Sequence, residues 1–567
     1  MLDYFMASEQ FITNDLSVKP YELILFDEAP IMHFSFHAQL GKKYNVEYRG
    51  FNGAPDLQLT KNDDDNIIDV QKTNIKPFET SLWVAPGLQL PFIRIRIYPE
   101  PKKNGEIVKN SDNKDILHGM GVGYSSNYFN EYCITGAKKN YNAIESDAKA
   151  RARQANISYK DLSDVERAAQ LFYSFRFNKV LYFDIDQLAN KINIGYNTYD
   201  GMVIPIFCTL KAGDLNPAIL VSNDRLDVRM NEIMDREDFV RAAYLSEINK
   251  FFSIRSVFDM PMDIPKEIEG LTDTRTFTFQ KLGTIVMPKK EFTLTDINPG
   301  ISVPVSTSDK NAHIENLKLS LTADRNNLAV VRSTTMKGYY KRDAQRALIL
   351  YEDFYESERK AFHEEMSLLE SLEDTKKGKK YVDEVKNAFA EARKKQKDAF
   401  VEEAKDWFEQ DIIDLKDYKT DTLGVRHTAP NFVYSSSFNL GGLVKKAGNN
   451  IIIEIGKIQG QPLSIKEGQR KRDIDAYMPF ARSIEYTVEL EIPAGYAAEG
   501  VTAINKKVEN DAGFFIVEAN STDKVVIIKI KKHYLHNFEP AKNWDKVLAF
   551  TDAANDWVNT KLLFKKK

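Results

Sequence analysis

Cysteine and histidine are the scarce residues of this 567-residue chain: two cysteines, Cys133 and Cys208, and eight histidines. Two cysteines exclude a disulfide framework and any multi-cysteine zinc module. Long hydrophobic runs are also missing. The longest near-candidate, Met202 to Leu210 (MVIPIFCTL), falls far short of the roughly 18–20 residues that span a bilayer. It reads as a buried helix or strand. Charge of one sign is lacking too. Lys and Arg number 78 against 82 Asp and Glu, so 78 − 82 leaves a net charge of −4. A general nucleic-acid binder needs a basic footprint, and none is present. The amino terminus (MLDYFMASEQ) has no basic region ahead of an apolar one, so no signal peptide is read there.

What is present suits a globular protein of several parts. Hydrophobic residues make up 43% and charged residues 28%. At about 100–200 residues per domain, the length predicts three to five domains. Residues 1–105 read as β-rich. Ile31 to Leu40 alternates, with Met32, Phe34, Phe36, Ala38 and Leu40 on one face and His33, Ser35 and His37 on the other. Phe92 to Tyr98 (FIRIRIY) alternates as cleanly. Lys61 to Asn66 (KNDDDN) is a turn cluster. Residues 106–140 read as a linker.

Residues 141–285 change character. Ser163 to Phe177 has the period of a helix, and Ser163 with Glu166 matches a capping box. Met202 to Leu210 is a buried segment ended by Gly213, and Ala218 to Val221 a strand. Residues 286–340 return to strands, with Ile314–Leu321 and Ala329–Ser333 as hairpin arms. Residues 341–416 contain no proline and one glycine. Of these 76 residues, 16 Lys/Arg and 20 Asp/Glu are charged. They predict two or three amphipathic helices with a break at Thr375–Lys379. A partner-binding face is one reading of that charge, and a solvated helix surface is the plainer one. Residues 417–540 read as regularly spaced strands, which suggests a β-sandwich, with Gly448-Asn449-Asn450 as a hairpin turn. Residues 541–567 read as a closing helix.

Most chemical motifs fail on geometry. Gly119 to Gly123 (GMGVG) lacks both G-x-G-x-x-G and a following Lys-Ser/Thr. His533 and His536 are three apart, so a continuing strand points them to opposite faces. His33 and His37 share a face but stand about 13 Å apart by strand rise. Asp63-Asp64-Asp65 lacks the glycine and glutamate of a calcium loop. No metal and no cofactor is expected.

The informative stretch runs from Asp161 to Phe279. A helix leads to an aromatic segment (DLSDVERAAQLFYSFRFNKVLYF), then INIGYNTYDGMVIPIFCTLKAGDLNPAILVSNDR. Gly195-Tyr196 before a helix, Ala212-Gly213 at its end, the strand Pro217 to Ser222 and the exit Phe251 to Gly270 resemble the core of the transglutaminase-like superfamily. Leu57 to Tyr98 looks like the end of the β domain that precedes this core in large bacterial envelope proteins. His313 to Lys567 looks like the β-sandwich that follows it. The resemblance implies an α+β multidomain fold: a β-rich amino-terminal domain that begins part-way through, a papain-like core, and a carboxy-terminal sandwich with an inserted helical arm. It also implies an export route and a periplasmic or envelope location.

Chemistry in that family needs a cysteine thiolate at a helix amino terminus, a histidine base and an orienting aspartate. Here the nucleophile position falls on Thr198 or, in preference, Tyr199. The histidine position falls near Phe239 and the aspartate position near Arg255. No histidine occurs between His118 and His313. All three roles read as vacant, which leaves binding or scaffolding of a protein, a peptide or a cell-envelope component. Tyr196, Tyr199 and Phe239 would line the former cleft. The alternative is a cysteine-dependent amide hydrolase or acyltransferase using Cys133 or Cys208.

Overall fold

The computed structural model describes residues 20–41, 44–61, 65–78, 82–99, 107–109, 137–154, 157–181, 202–279 and 294–567. Helices and sheets form an α+β protein of several parts. Near the amino end, Ile31–Gly41 pairs antiparallel with Asp65–Ile75, which pairs in turn with Gln58–Lys61. The predicted alternation holds from Phe34 onward: Phe34, Phe36, Ala38 and Leu40 pack against the buried cluster of Ile68 and Val70, whereas Met32, expected on the same face, is exposed at the strand's start. A second sheet runs in the order Tyr21–Ile24, Phe92–Pro99, Tyr44–Phe51, Ile107–Lys109. Its last strand lies inside the stretch read as a linker. Ile107 and Val108 suit a strand, and they pair parallel with Val46 and Glu47.

The middle of the chain packs helices on a five-stranded sheet. The strands run Lys250–Phe252, Val240–Leu245, Pro217–Ser222, Arg275–Phe279, Leu294–Pro299, and every neighbouring pair is antiparallel. Phe251 to Phe258, which reads as a strand from sequence, is strand only to Phe252. The Ser163 hydroxyl accepts the Glu166 N–H at 3.3 Å and starts the helix Asp164–Phe175. The helix Val203–Ala212 is apolar on nearly every side, as a helix enclosed by its neighbours must be. Gly213 closes it. A Cβ there would meet the Leu171 methyl groups, so any larger residue would have to displace that side chain.

Beyond residue 311 an eight-stranded sheet dominates. Its order is Ile412–Leu423, Phe432–Leu440, Leu328–Met336, Ala312–Leu321, Arg482–Glu491, Val525–Tyr534, Gly513–Ser521, Lys506–Glu509. One neighbouring pair, Ala312–Leu321 with Arg482–Glu491, is parallel. A four-stranded sheet (Val444–Ala447, Asn450–Ile453, Leu562–Lys566, Tyr496–Glu499) accompanies it. The turn at Gly448 forms as predicted, with Gly448 at φ +62° and Ala447 opposite Asn450. The arm between Leu328–Met336 and Ile412–Leu423 holds four helices: Lys341–Leu348, Tyr351–Ala361, Leu368–Glu373 and Val382–Phe408. The helical character ends at Phe408, short of the expected 416, because the alternating run IIDLKDYKTDTL joins the sheet edge. That edge carries charges and two register shifts, which discourage further pairing. The closing segment is not all helix either. Trp544–Trp557 is helical, and Leu562–Lys566 returns as a strand.

The inner face of the large sheet buries Leu317, Val330, Phe438, Val488 and Ile528 with Phe400 and Phe408 of the long helix. Fully burying one such side chain contributes about 1.5–3 kcal/mol. A charge network sits within this apolar layer. Arg332 donates to Glu315 at 2.6 and 2.9 Å and to Glu403 of the long helix at 2.5 and 2.9 Å. Tyr434 donates to Glu403 at 2.6 Å, and the Thr334 hydroxyl and His313 complete the shell of Glu315. Burial pushes the Glu315 carboxyl up, but the Arg332 guanidinium and His313 outweigh it and hold it down at about 2. Among the described residues no helix is long and apolar enough to cross a membrane.

Two outcomes follow from the network. Arg332→Met strands two carboxylates and should cost the carboxy-terminal unfolding transition about 3–5 kcal/mol, read by urea titration. Glu315 ionises below its ordinary 4.5 in the folded state. Its contribution is therefore complete above about pH 4.5 and lost as pH falls through about 2. Acid unfolding of wild type should carry that component, and Glu315→Gln should lack it.

Candidate functional site

The predicted cleft residues divide into those the structure describes and those it does not. Tyr196, Thr198, Tyr199 and Cys133 lie outside the described residues. Phe239 precedes the strand Val240–Leu245 and is buried in one cluster with Val203, Ile204, Met230 and Ile233. It is core packing where the resemblance would place an imidazole. Arg255 lies between strand and turn. Its guanidinium pairs with Glu267 at 3.0 Å, and its N–H donates to the Asp259 carboxylate at 2.7 Å. Cys208 is 5% exposed, in mid-helix among Ile204, Phe207 and Leu210. Neither a helix terminus nor open water is available there to favour a thiolate.

Histidines with hydrogen bonds engage other partners. His37 meets Asp69 at 2.7 Å, His313 meets Glu315 at 2.7 Å and His536 meets Glu539 at 2.6 Å. His427 meets Tyr173 at 2.8 Å and Glu166 at 3.3 Å. His533 lies between Ser308 at 3.0 Å and Glu485 at 3.2 Å. His533 and His536 thus bond to different carboxylates, though not for the expected reason: the strand ends at Tyr534, and His536 lies beyond it. Among the described residues no group of three or more His, Cys, Asp or Glu could hold a metal ion.

Elements from the two ends of the chain dock on the middle stretch around Phe239 and Arg255. On one side Arg94, from the alternating strand Phe92–Pro99, reaches the middle domain. It bonds Glu22 at 2.7 Å on its own sheet, then Asp227 and Asp238 at 3.2 Å each. The Phe51 and Phe92 rings stack at 4.4 Å, with the guanidinium over both faces. Gly87 lies so close that a Cβ would overlap the Asp227 carboxylate. The contact therefore falls on Asp238, next to Phe239. Burial raises the Asp238 carboxyl to about 6, against the pull of Arg94, and the neighbouring Asp235, Asp227 and Glu22 add to the rise.

On the other side the helical arm is fastened by Arg176, at the end of the helix that Ser163 starts. It donates to the Asp259 carbonyl at 2.7 Å, the Val425 carbonyl at 3.0 Å and Glu358 of the arm at 2.8 Å. Arg426 joins Glu358 at 3.0 Å and lies over the Tyr173 ring. Lys341 donates to the Gly424 and Pro430 carbonyls, and its burial lowers its pKa. A third fastening is Arg225, which donates to the Met478 and Asn537 carbonyls at 2.9 and 2.7 Å.

Sequence reasoning missed these arginines. A signal existed for Arg332, which has the parity of the inward Leu328 and Val330. A charge in such a register has to find a buried partner. Arg94 shares the parity of Arg96, opposite the buried Ile93, Ile95 and Ile97, so the alternation gave no sign of its burial.

The Asp238 environment generates a test. Its pKa is raised from 3.8 to about 6, so the charged form costs stability as pH rises between those values. Asp238→Asn should raise the melting temperature at pH 7.5 and change nothing below about pH 3.8. The gain is at most about 1 kcal/mol, because the side chain is 30% exposed and screened.

No family model and no curated protein matches the chain. A crystal structure described as a putative protease from Parabacteroides distasonis ATCC 8503 is a distant structural neighbour. It shares 8% identity at a TM-score of 0.44, over 97% of this chain and 76% of that one.

Proposed function

We propose that the protein is a transglutaminase-like envelope protein whose middle domain is non-catalytic and serves as a docking scaffold for a peptide or another envelope component. One observation carries this reading. The two described positions where a base and its orienting acid would stand hold a core phenylalanine, Phe239, and an ion-paired arginine, Arg255. Thiol-based acyl transfer needs both a thiolate and a base within hydrogen-bond reach. Loss of a site leaves a fold intact, because packing and chemistry are specified by different residues. The fastened flanks support the same reading, since a rigid junction of three parts suits presentation of a surface. Tyr196 and Tyr199 belong to the proposed peptide-binding region, Phe239 being enclosed in the core instead, and the envelope location rests on the family resemblance alone.

The test is chemical. Iodoacetamide at pH 7.5 should leave Cys208 unlabelled in the native protein and label it in urea. Incubation with glutamine-containing peptides should release no ammonia and form no cross-link. Amide turnover that disappears in Cys208→Ala or Cys133→Ala would replace the scaffold reading with the cysteine-dependent one.

A further inference from the structure

The large sheet turns one face to its helices and the other outward, and His533 stands on the outward row. The neighbouring strand places Phe514 directly opposite, and its ring stacks on the imidazole at 4.3 Å and 18°. On the other side Glu485 reaches the Nε2 atom at 3.2 Å. Ser308 arrives from a strap, residues 300–311, that crosses from the middle domain. The strap is pinned at both ends. The Ser306 N–H donates to the Glu269 carboxylate at 2.6 Å, and the Asn311 amide donates to the Ala481 carbonyl at 3.0 Å. The Ser308 hydroxyl is thereby held 3.0 Å from His533 Nδ1.

The proton positions follow from donor and acceptor arithmetic. The hydrogen bond from His533 holds the Glu485 carboxyl below its usual range, so it is ionised and only accepts. Nε2 must then carry the ring proton. In the neutral ring Nδ1 presents its lone pair, and the Ser308 hydroxyl donates to it. This is the state in which an imidazole removes a proton from an attacking oxygen. Which ring nitrogen serves which partner does not matter chemically, provided that one accepts while the other is held. The neighbours Thr307, Asp309 and Lys310 are exposed, so the serine lies one side chain below the surface. Ser308 itself is largely enclosed, which limits an acyl group to a short one.

We propose that Ser308, His533 and Glu485 form an acyl-transfer site for short-chain carboxylic esters. The site lies apart from the middle domain and does not depend on the scaffold reading of it. Ser308 Oγ bonds to the ester carbonyl carbon as its proton passes to Nδ1. The carbon–alkoxide bond then breaks, and the departing oxygen takes that proton. Water repeats the sequence on the acyl-serine, giving the free acid and restoring the hydroxyl. Ester and water are consumed, and acid and alcohol form. Glu485 is a positioning residue, since it acts through the ring.

The full chain should be tested with p-nitrophenyl acetate and with a fluorophosphonate probe followed by peptide mapping. The expected result is one phosphonylated serine, Ser308, and acetate release that falls to background in Ser308→Ala. His533→Ala should lose about 10²–10⁴-fold in kcat. Glu485→Gln should lower kcat at unchanged KM and unchanged melting temperature, which a purely structural role would not do. The palmitoyl ester should not turn over. If Ser308→Ala fails to fold, Ser308→Cys retains the shape and should transfer labelling to iodoacetamide. Wild-type protein of normal melting temperature whose Ser308 stays unmodified overturns the proposal. So does acetate release that survives intact in the folded Ser308 variant.

Discussion

A single fully buried guanidinium, Arg176, ties together three stretches of chain that share no secondary structure. Its donors meet Glu358 of the helical arm, the Asp259 carbonyl at the exit of the middle domain and the Val425 carbonyl beyond the arm. An arginine suits this role better than a lysine. Its planar fork carries five donors, it stays charged when enclosed, and it stacks on aromatic faces. The Tyr173 and Phe354 rings supply those faces here. Removing Glu358 would leave the enclosed guanidinium without its counter-charge.

The same device recurs at each junction. Arg94 joins the amino-terminal sheet to the middle domain, Arg225 joins the middle domain to the carboxy-terminal part, and Arg332 joins the large sheet to the long helix. Hydrophobic burial supplies the driving force of each layer but is indifferent to register. Directional bonds from a buried arginine select one arrangement among many that bury similar area. The cost is sensitivity. Asp238 and Glu315 are pushed in opposite directions, the first by burial, the second by a guanidinium and an imidazole that overcome burial.

That no histidine lies between His118 and His313 was legible before the fold was known. The alternations of Ile31–Leu40 and Phe92–Tyr98, the Ser163 helix start and the Gly213 helix end were legible too, because each is a local consequence of side-chain period or backbone freedom. Misjudged elements were those whose state depends on a distant neighbour. Ile107–Lys109 becomes a strand because Val46–Tyr48 offers a free edge. Residues 412–416 leave the helical pattern because Phe432–Leu440 accepts them, and Leu562–Lys566 becomes a strand between Asn450–Ile453 and Tyr496–Glu499.

Sequence by itself determined that the chain has no apolar run long enough for a membrane-spanning helix, alternates β-rich and helical stretches, and holds no histidine between His118 and His313. Those properties reside in composition and short spacing. Tertiary structure alone decided which charges are buried, that Ser308 meets His533 from 225 residues away, and that Asp238 faces Arg94 across 144. Spacing along the chain carries no information at such separations. Only packing brings those groups within hydrogen-bond range, and only burial makes the contact strong enough to matter.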